Sequence, residues 1–205
     1  VAADGNAPAY GMLKTGKIPV LLCSLLAVLC FGNSAWIYLK AELAQILIER
    51  AWSETLTTGQ PVTPWEWADF WPVARIMDKK SGKTLFVLSN ASGQSLAFGP
   101  GHVNGSPLPA TTGTSIIAGH RDTHFKFLNR IKTGDVFSVQ RADGLTGNYR
   151  VAAMQVVDSR NAKLEIESER AGLKFITCYP FDAVLAGGPE RLVVQLLAVE
   201  PELFA

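Results

Sequence analysis

An uninterrupted uncharged run near the amino terminus sets the first constraint on how this chain folds. The run covers residues 18–39 and reads IPVLLCSLLAVLCFGNSAWIYL. As a helix rising about 1.5 Å per residue, it is long enough to cross a hydrocarbon core of about 30 Å. Trp36 and Tyr38 near its end are typical of a membrane interface. A cleaved signal peptide is the alternative, but its apolar region is usually about 7–15 residues long and ends in a small-x-small site. Residues 33–35 match such a site only weakly, so we predict an uncleaved transmembrane anchor.

The apolar run divides the chain into four predicted segments. They are a short cytoplasmic tail over residues 1–17, the transmembrane anchor over 18–39, a helical and aromatic linker over 40–72, and a globular domain over 73–205. The Lys and Arg residues on the two sides of the run differ little in number, so the prediction of orientation rests on the short tail. We predict a single-pass protein of the cell (inner or cytoplasmic) membrane, with the amino terminus inside and the domain on the extracytoplasmic side.

The linker carries two patterns. Apolar residues recur at helical spacing and predict that a helix continues beyond the anchor or forms again just after it; they are Leu43, Ile46, Leu47, Ala51 and Leu56. Gly59 and Pro61 then end this helix. The stretch PWEWADFWP, residues 64–72, brings four aromatic residues together. Docking onto a membrane or a partner is one interpretation; the favoured one is a hydrophobic clasp that packs the linker onto the domain.

Short β-type runs fill the chain from residue 73 onward. Val, Ile, Phe and Thr are concentrated in seven segments that Gly, Asn, Asp and Pro separate. The predicted strands are Val73–Met77, Thr84–Ser89, Thr114–Ala118, Val136–Gln140, Tyr149–Val157, Lys174–Cys178 and Leu192–Val199. A short helix is predicted at Phe125–Ile131, and residues 142–144 and 146–148 have the composition of turns. Several short strands without long intervening helices favour a closed or nearly closed barrel.

Charge and spacing argue against two kinds of partner. The chain has 19 Lys and Arg residues against 18 Asp and Glu residues, whereas nucleic-acid-binding proteins usually show a basic excess. His120 and His124 are four residues apart and could imitate a metal-binding pair. His120 follows a strand break, however, and no acidic or cysteine ligand joins the two at metal-site spacing. We therefore predict no nucleic-acid partner, no metal and no cofactor.

One cysteine lies outside the apolar run. Cys23 and Cys30 fall within that run and need be no more than small apolar residues, so Cys178 has no cysteine in the exported part with which to form a disulfide. A buried structural thiol is the plain interpretation. Cys178 ends the strand-like run LKFITC, and Pro180 cannot continue a central ladder. The thiol is therefore predicted at the rim of the sheet, where loops build sites.

A histidine and an arginine have similar placements. His120 follows the strand TSIIA at a glycine break, and Arg191 opens the last strand after the glycine-rich stretch 187–188. An imidazolium lowers the pKa of a neighbouring thiol and later protonates a departing amine. A guanidinium and backbone N–H groups stabilise the oxyanion formed on acyl attack. Cys178, His120 and Arg191 on one rim would therefore suffice for acyl transfer, although an ordinary surface arginine remains the alternative for Arg191.

Three separated blocks of the chain resemble the sortases, a family of membrane-anchored cysteine transpeptidases. The blocks are TSIIAGHRDTHFKFLNRIKTGDVF from Thr114, FITC ending at Cys178, and PERLVV from Pro189. They match the strand and Gly-His, the TLxTC signature, and the arginine of the family, in the same order. Lys174 and Phe175 depart from TLxTC, which affects strand packing more than chemistry. The GHRDTHF stretch and the short chain are similar to the class D and proteobacterial (class GN) branches.

The resemblance implies an eight-stranded sortase-type β-barrel and roles for four residues. Cys178 would be the nucleophile, His120 the general acid/base, Arg191 the oxyanion or substrate-orienting donor, and Thr177 a residue lining the substrate site. The substrate would be a surface protein with an LPxTG-like C-terminal sorting signal, cleaved between Thr and Gly through a thioacyl-enzyme. An amine of unknown identity would then take the acyl group, attaching the target protein to the cell surface.

Several alternatives remain open from the sequence. A membrane-tethered cysteine peptidase would pass the acyl group to water, and a non-catalytic binding barrel would hold Cys178 buried and inert. The signature of the L,D-transpeptidases is absent around Cys178. Asp122 could orient His120, although a solvated loop aspartate is favoured. Some sortases bind calcium near the stretch that contains Glu165, Glu167 and Glu169, but their alternation favours a solvated strand face.

Overall fold

The computed structural model describes residues 17–162, 171–183 and 187–199. The chain divides into two compact units at the Glu42–Leu43 bond. Helix α1, Lys17–Thr58, begins in the first unit and ends in the second. The helix predicted beyond the anchor is therefore a direct continuation of it.

The first unit contains the apolar part of α1. Large side chains along this part are exposed, among them Leu22 at 56% and Leu29 at 62%. The helix is long and apolar enough to cross a membrane, with a mean hydropathy of 2.0 over its most apolar window. By length and composition, this agrees with the predicted N-terminal apolar helix.

The second unit is built around a barrel of eight strands. In chain order they are β1 Pro72–Asp78, β2 Thr84–Leu88, β3 Gly101–His102, β4 Thr114–Ala118, β5 Val136–Arg141, β6 Thr146–Asp158, β7 Gly172–Cys178 and β8 Glu190–Ala198. The barrel closes in the order β1-β2-β3-β4-β7-β8-β6-β5. Strand β7 is parallel to β4 and antiparallel to β8. The predicted eight-stranded barrel is confirmed.

Several local predictions differ from the structure. Strand β3 has only two residues and carries no sequence signal of its own. Residues 146–148 were predicted as a turn, and this is wrong: they begin β6, where Thr146 pairs with Gln140. The actual turn precedes them, with Gly144 at a φ of 90°. The short helix is a 3-10 helix, Lys126–Arg130, and a further short helix, α2, covers Gly93–Leu96.

The barrel interior holds the main hydrophobic core. Alternate residues of β4, β7 and β8 point into it, as expected for strands with one buried face; they include Ile117, Leu173, Phe175, Leu192, Val194 and Leu196. The ring of Phe175 packs against those of Phe125 and Phe137 at 5.4 and 5.5 Å between centroids. The segment after β4 is thereby fastened to β7 through the core.

The last turns of α1 pack against the barrel within the second unit. The buried stripe recurs at helical spacing and consists of Ala44, Ile48, Ala51, Trp52 and Thr55. Leu43 and Ile46, which also follow the helical spacing, are 54% and 61% exposed. Within the buried stripe, the Trp52 ring lies against Phe86 at 6.2 Å between ring centroids.

The aromatic stretch after α1 forms a clasp, as favoured from the sequence. The Trp65 ring meets Phe70 and Phe98 edge-on at 5.4 and 5.0 Å between centroids, and Phe70 is fully buried. Trp67 differs from this group because it is 78% exposed. The clasp therefore holds the linker to the segment that contains α2.

Candidate functional site

Two of the side chains named from the sequence lie on adjacent strands at one end of the barrel, and the third follows a strand beside them. Cys178 is the last residue of β7 and pairs in register with Arg191 of β8. Ala118, the last residue of β4, pairs with Ile176 of β7, and Gly119 N–H donates to the Ile176 carbonyl at 3.1 Å. The paired register ends there; extended by two residues, it would bring His120 opposite Cys178. Strands β4, β7 and β8 are neighbours in that order, about 5 Å apart.

Cys178 and Arg191 share the outer face of the barrel. Side chains alternate along a strand, and directly paired residues share a face. Phe175 and Thr177 are buried on the inner side, whereas Cys178 is half-buried and His120 is exposed. The thiol is therefore accessible from outside, unlike a thiol in the barrel core.

A hydrogen bond from β7 holds the residue before the histidine. The Thr177 side chain is only 2% exposed, and its hydroxyl donates to the Gly119 carbonyl at 2.7 Å. Both backbone polar groups of Gly119 are thus bound by β7. The structure gives Thr177 a contact that fixes the His120 backbone; its contact with a substrate stays a prediction.

Arg191 contacts its own loop. Its Nη1 donates to the carbonyls of Gly188 at 2.6 Å and Glu190 at 2.8 Å. A guanidinium has donors on three nitrogen atoms, and both of these contacts use one of them. Nε and Nη2 therefore carry N–H groups that these two contacts do not use.

The residue after His120 was not singled out from the sequence. Arg121 is 6% exposed, and its guanidinium donates to the carbonyls of Pro180 and Ala183. Its Nε is 3.3 Å from Asp122 Oδ1. Asp122 is 71% exposed at its side chain, which agrees with the solvated loop aspartate favoured above. No short-range pattern indicates the Arg121 contacts, because the acceptors are about 60 residues away.

The outer face of the sheet next to Cys178 carries three apolar residues. Two positions back along each strand, about 7 Å away, the outer face carries Ala118, Ile176 and Val193. Ala118 and Ile176 are half-buried, whereas Val193 is only 2% exposed. An apolar strip therefore runs from the thiol along β4 and β7. Of the two residues that depart from TLxTC, Lys174 lies further along this outer face. Phe175 is buried in the core of the barrel.

Metal ligation has no support in the described parts of the chain. No group of three or more His, Cys, Asp or Glu side chains comes together there as metal ligands would. His102 is 6% exposed, and its Nε2 lies 3.0 Å from both the Pro107 carbonyl and the Ser106 hydroxyl. The three glutamates 165, 167 and 169 lie outside the described residues.

Substituting Gly119 is expected to disturb both stability and the site. A Cβ atom there would lie 2.8 Å from Cδ2 of the Phe125 ring, which is fully buried. Gly119→Ala is therefore expected to lower the free energy of unfolding by about 1–3 kcal/mol. Gly93→Ala is the control, because no atom lies within 4 Å of its added Cβ. Equal melting temperatures for the two variants would contradict the prediction.

His124 is expected to make the fold less stable in acid. Burial lowers its pKa below the usual 6.5; the hydrogen bond to the Ala97 carbonyl opposes this in part, and the charges of Lys83 and His120 add smaller lowering effects. Below about pH 6.5, the unfolded chain binds a proton at this position more readily than the folded chain, so stability decreases as the pH is lowered. His124→Gln should therefore lose less stability between pH 7.5 and 5.5 than the unchanged protein, in urea unfolding at both values. Lys126→Gln, which does not change titration in this range, should match the unchanged protein; an equal loss in all three would exclude the effect.

Comparison with known proteins gives a consistent group of relatives. The Sortase domain family model matches residues 79–199. Sortase D of Bacillus subtilis (strain 168) is 27% identical over 116 residues, which are 56% of this chain and 58% of that protein. The chain thus spans just over half the length of that curated relative.

Sortase C-1 from Actinomyces oris is 30% identical with a TM-score of 0.53, over 63% of this chain and 73% of that one. The Clostridium perfringens Sortase D5 transpeptidase shares the fold at 16% identity, with a TM-score of 0.62 over 78% of this chain and 99% of that one.

Proposed function

Because this chain belongs to the sortase family, we propose that it is a cysteine transpeptidase that cleaves an LPxTG-like sorting signal. The enzyme would attach a surface protein to an amine at the cell surface. The observation that carries the proposal is the pairing of Cys178 with Arg191 on one side and the pairing of β7 on the other with β4, the strand that ends two residues before His120. We place the barrel on the extracytoplasmic side of the membrane, with α1 as its anchor.

The first half-reaction forms a thioacyl-enzyme. The thiolate of Cys178 attacks the carbonyl carbon of the substrate threonine, and a C–S bond forms. Negative charge collects on the former carbonyl oxygen, where N–H groups of Arg191 stabilise it. The imidazolium of His120 then gives its proton to the glycine nitrogen as the C–N bond breaks. The glycine-led fragment leaves as a neutral amine.

The second half-reaction transfers the acyl group. The incoming amine attacks the thioester carbon and loses a proton to the now neutral His120. The C–S bond breaks, and Cys178 leaves as the thiolate. The enzyme returns to its starting protonation state, so one histidine serves both halves of the cycle. Water in place of the amine would give a peptidase.

The apolar strip offers a place for the sorting signal. Ala118 and Ile176 are half-buried on the outer face that also carries the thiol. An extended peptide laid along them would bring its threonine carbonyl to Cys178 at the strand end. Thr177 would act mainly through the Gly119 carbonyl; direct contact with the substrate remains part of the proposal.

Mass spectrometry with an LPxTG peptide tests the proposed activity. The full chain in detergent is used, because Ile48 and Trp52 of α1 are buried against the barrel. Cys23 and Cys30 are replaced by alanine so that one thiol remains. The expected result is a peptide adduct on Cys178 that passes to an added amine and is absent in Cys178→Ala.

The other outcomes separate the alternatives. An adduct that only water resolves would favour the peptidase. No adduct, together with slow alkylation of Cys178, would count against catalysis and favour a binding barrel. No adduct with rapid alkylation would overturn the LPxTG assignment while leaving a reactive thiol, and a peptide library would then identify the motif.

A further inference from the structure

A buried arginine connects the two loops that hold the proposed reacting groups. We propose that Arg121 is a positioning residue that keeps His120 opposite Cys178 by tying the loop after β7 to the loop after β4. The inference rests on the proposed function, because it assigns a further role within the same site.

The contacts of Arg121 use all three nitrogen atoms of its guanidinium. Nη1 donates to the Pro180 carbonyl at 2.6 Å, and Nη2 donates to the Ala183 carbonyl at 2.9 Å. Nε donates to Asp122 Oδ1 at 3.3 Å. The planar fork thus reaches two carbonyls of the loop after β7 at once, which the single nitrogen of a lysine does less well.

The position of Arg121 in the chain gives these contacts their significance. Both neighbours of His120 are bound to the segment around Cys178. On one side Gly119 is bound by the Ile176 carbonyl and the Thr177 hydroxyl. On the other side Arg121 is bound by the segment that begins two residues after Cys178. The histidine is therefore held before and after by the strand and loop that present the thiol.

A purely structural role is the competing explanation. Burying a guanidinium is unfavourable unless its N–H groups are satisfied, and Arg121 donates to the Pro180 and Ala183 carbonyls and to Asp122. A loop could be closed by a neutral side chain without burying a charge. The guanidinium of Arg121 next to His120 is explained if it fixes the distance between the His120 imidazole and the Cys178 thiol. Small misplacements of reacting groups have large effects on rate.

The test measures the alkylation of Cys178 by iodoacetamide between pH 5 and 9. It uses the full chain in detergent with Cys23→Ala and Cys30→Ala, and compares His120→Ala, Arg121→Met and Arg121→Lys. Arg130→Met is the matched control, since it removes an exposed arginine from the neighbouring 3-10 helix. The neighbouring titratable and charged residues Asp122, His124, Lys83 and Arg191 are the same in all variants.

We expect the Arg121→Met protein to lose about 10- to 100-fold of the alkylation rate near pH 6. Its profile should approach that of His120→Ala, while the control keeps the unchanged profile. Arg121→Lys keeps the charge but not the fork, so it should recover only part of the rate. The kcat/KM for the peptide should fall in the same order, mainly through kcat.

The outcomes distinguish this inference from the proposed function. An unchanged profile in His120→Ala would overturn the cysteine–histidine pair, and the positioning role with it. An altered profile in His120→Ala with unchanged profiles in both Arg121 variants would overturn the positioning role alone. Complete recovery in Arg121→Lys would also overturn it, because charge would then suffice. If Arg121→Met does not fold, Arg121→Lys decides; failure of both to fold would assign Arg121 a structural role instead.

Discussion

Replacing His120 with alanine is expected to slow thioacyl-enzyme formation by roughly 10²–10⁴-fold, the range usual for loss of a general acid or base. In the proposed mechanism, the change removes the group that stabilises the thiolate and the proton donor for the departing glycine nitrogen. His120 is exposed, two residues after the end of β4, so its side chain contributes little to the core. Single-turnover reaction with the peptide, followed by mass spectrometry, measures the rate of the chemical step directly.

A nearby histidine provides the control for this prediction. His124 is half-buried and belongs to the same loop, so His124→Gln removes an imidazole next to the site without touching the proposed reaction. We expect its single-turnover rate to stay within a few-fold of the unchanged protein. The melting temperature of His120→Ala should also be close to that of the unchanged protein. A folded His120→Ala protein with nearly full activity would exclude the assigned role.

The sequence was sufficient to locate the strand ends that carry the site. Pro180 follows the end of β7 two residues after Cys178, and Gly119 breaks β4 directly before His120, so both strand boundaries could be read locally. The pairing of the two strands could not, because β4 and β7 are separated by more than 50 residues and pair in parallel. The resemblance to a family implied that His120 and Cys178 act together, and this stays a prediction.

What the sequence did not reveal depends on contacts between distant parts of the chain. Arg121 has the composition of an ordinary loop residue, and only the carbonyls of Pro180 and Ala183 show why it is buried. Apolar residues of α1 lie both on the buried stripe, as Ile48 does, and outside it, as Ile46 does, so hydrophobicity alone does not identify the face that meets the barrel. Strand β3 has only two residues, which is too few for an alternating hydrophobic pattern. It is recognised as a strand only by its pairing with β2 and β4.

Replacing Arg191 with methionine is expected to lower kcat by about 10²–10³-fold, the usual effect of losing one oxyanion donor. Arg191 pairs in register with Cys178, so its guanidinium lies on the face where negative charge develops. Arg191→Lys should recover only part of the loss, because a single ammonium cannot bond the Gly188 carbonyl and the oxyanion with the geometry of a planar fork. Arg75→Met, an exposed arginine on β1, is the control and should keep its kcat.

The split between kcat and KM decides how Arg191 acts. Its Nη1 also binds the Gly188 and Glu190 carbonyls, so the substitution could loosen the loop before β8 as well as remove a donor. A donor used only in the transition state lowers kcat and leaves KM nearly unchanged. A loosened loop that weakens substrate binding raises KM. Steady-state kinetics with the peptide and a saturating amine should therefore show the loss in kcat; a change confined to KM would make Arg191 a substrate-orienting residue and leave backbone N–H groups as the oxyanion donors.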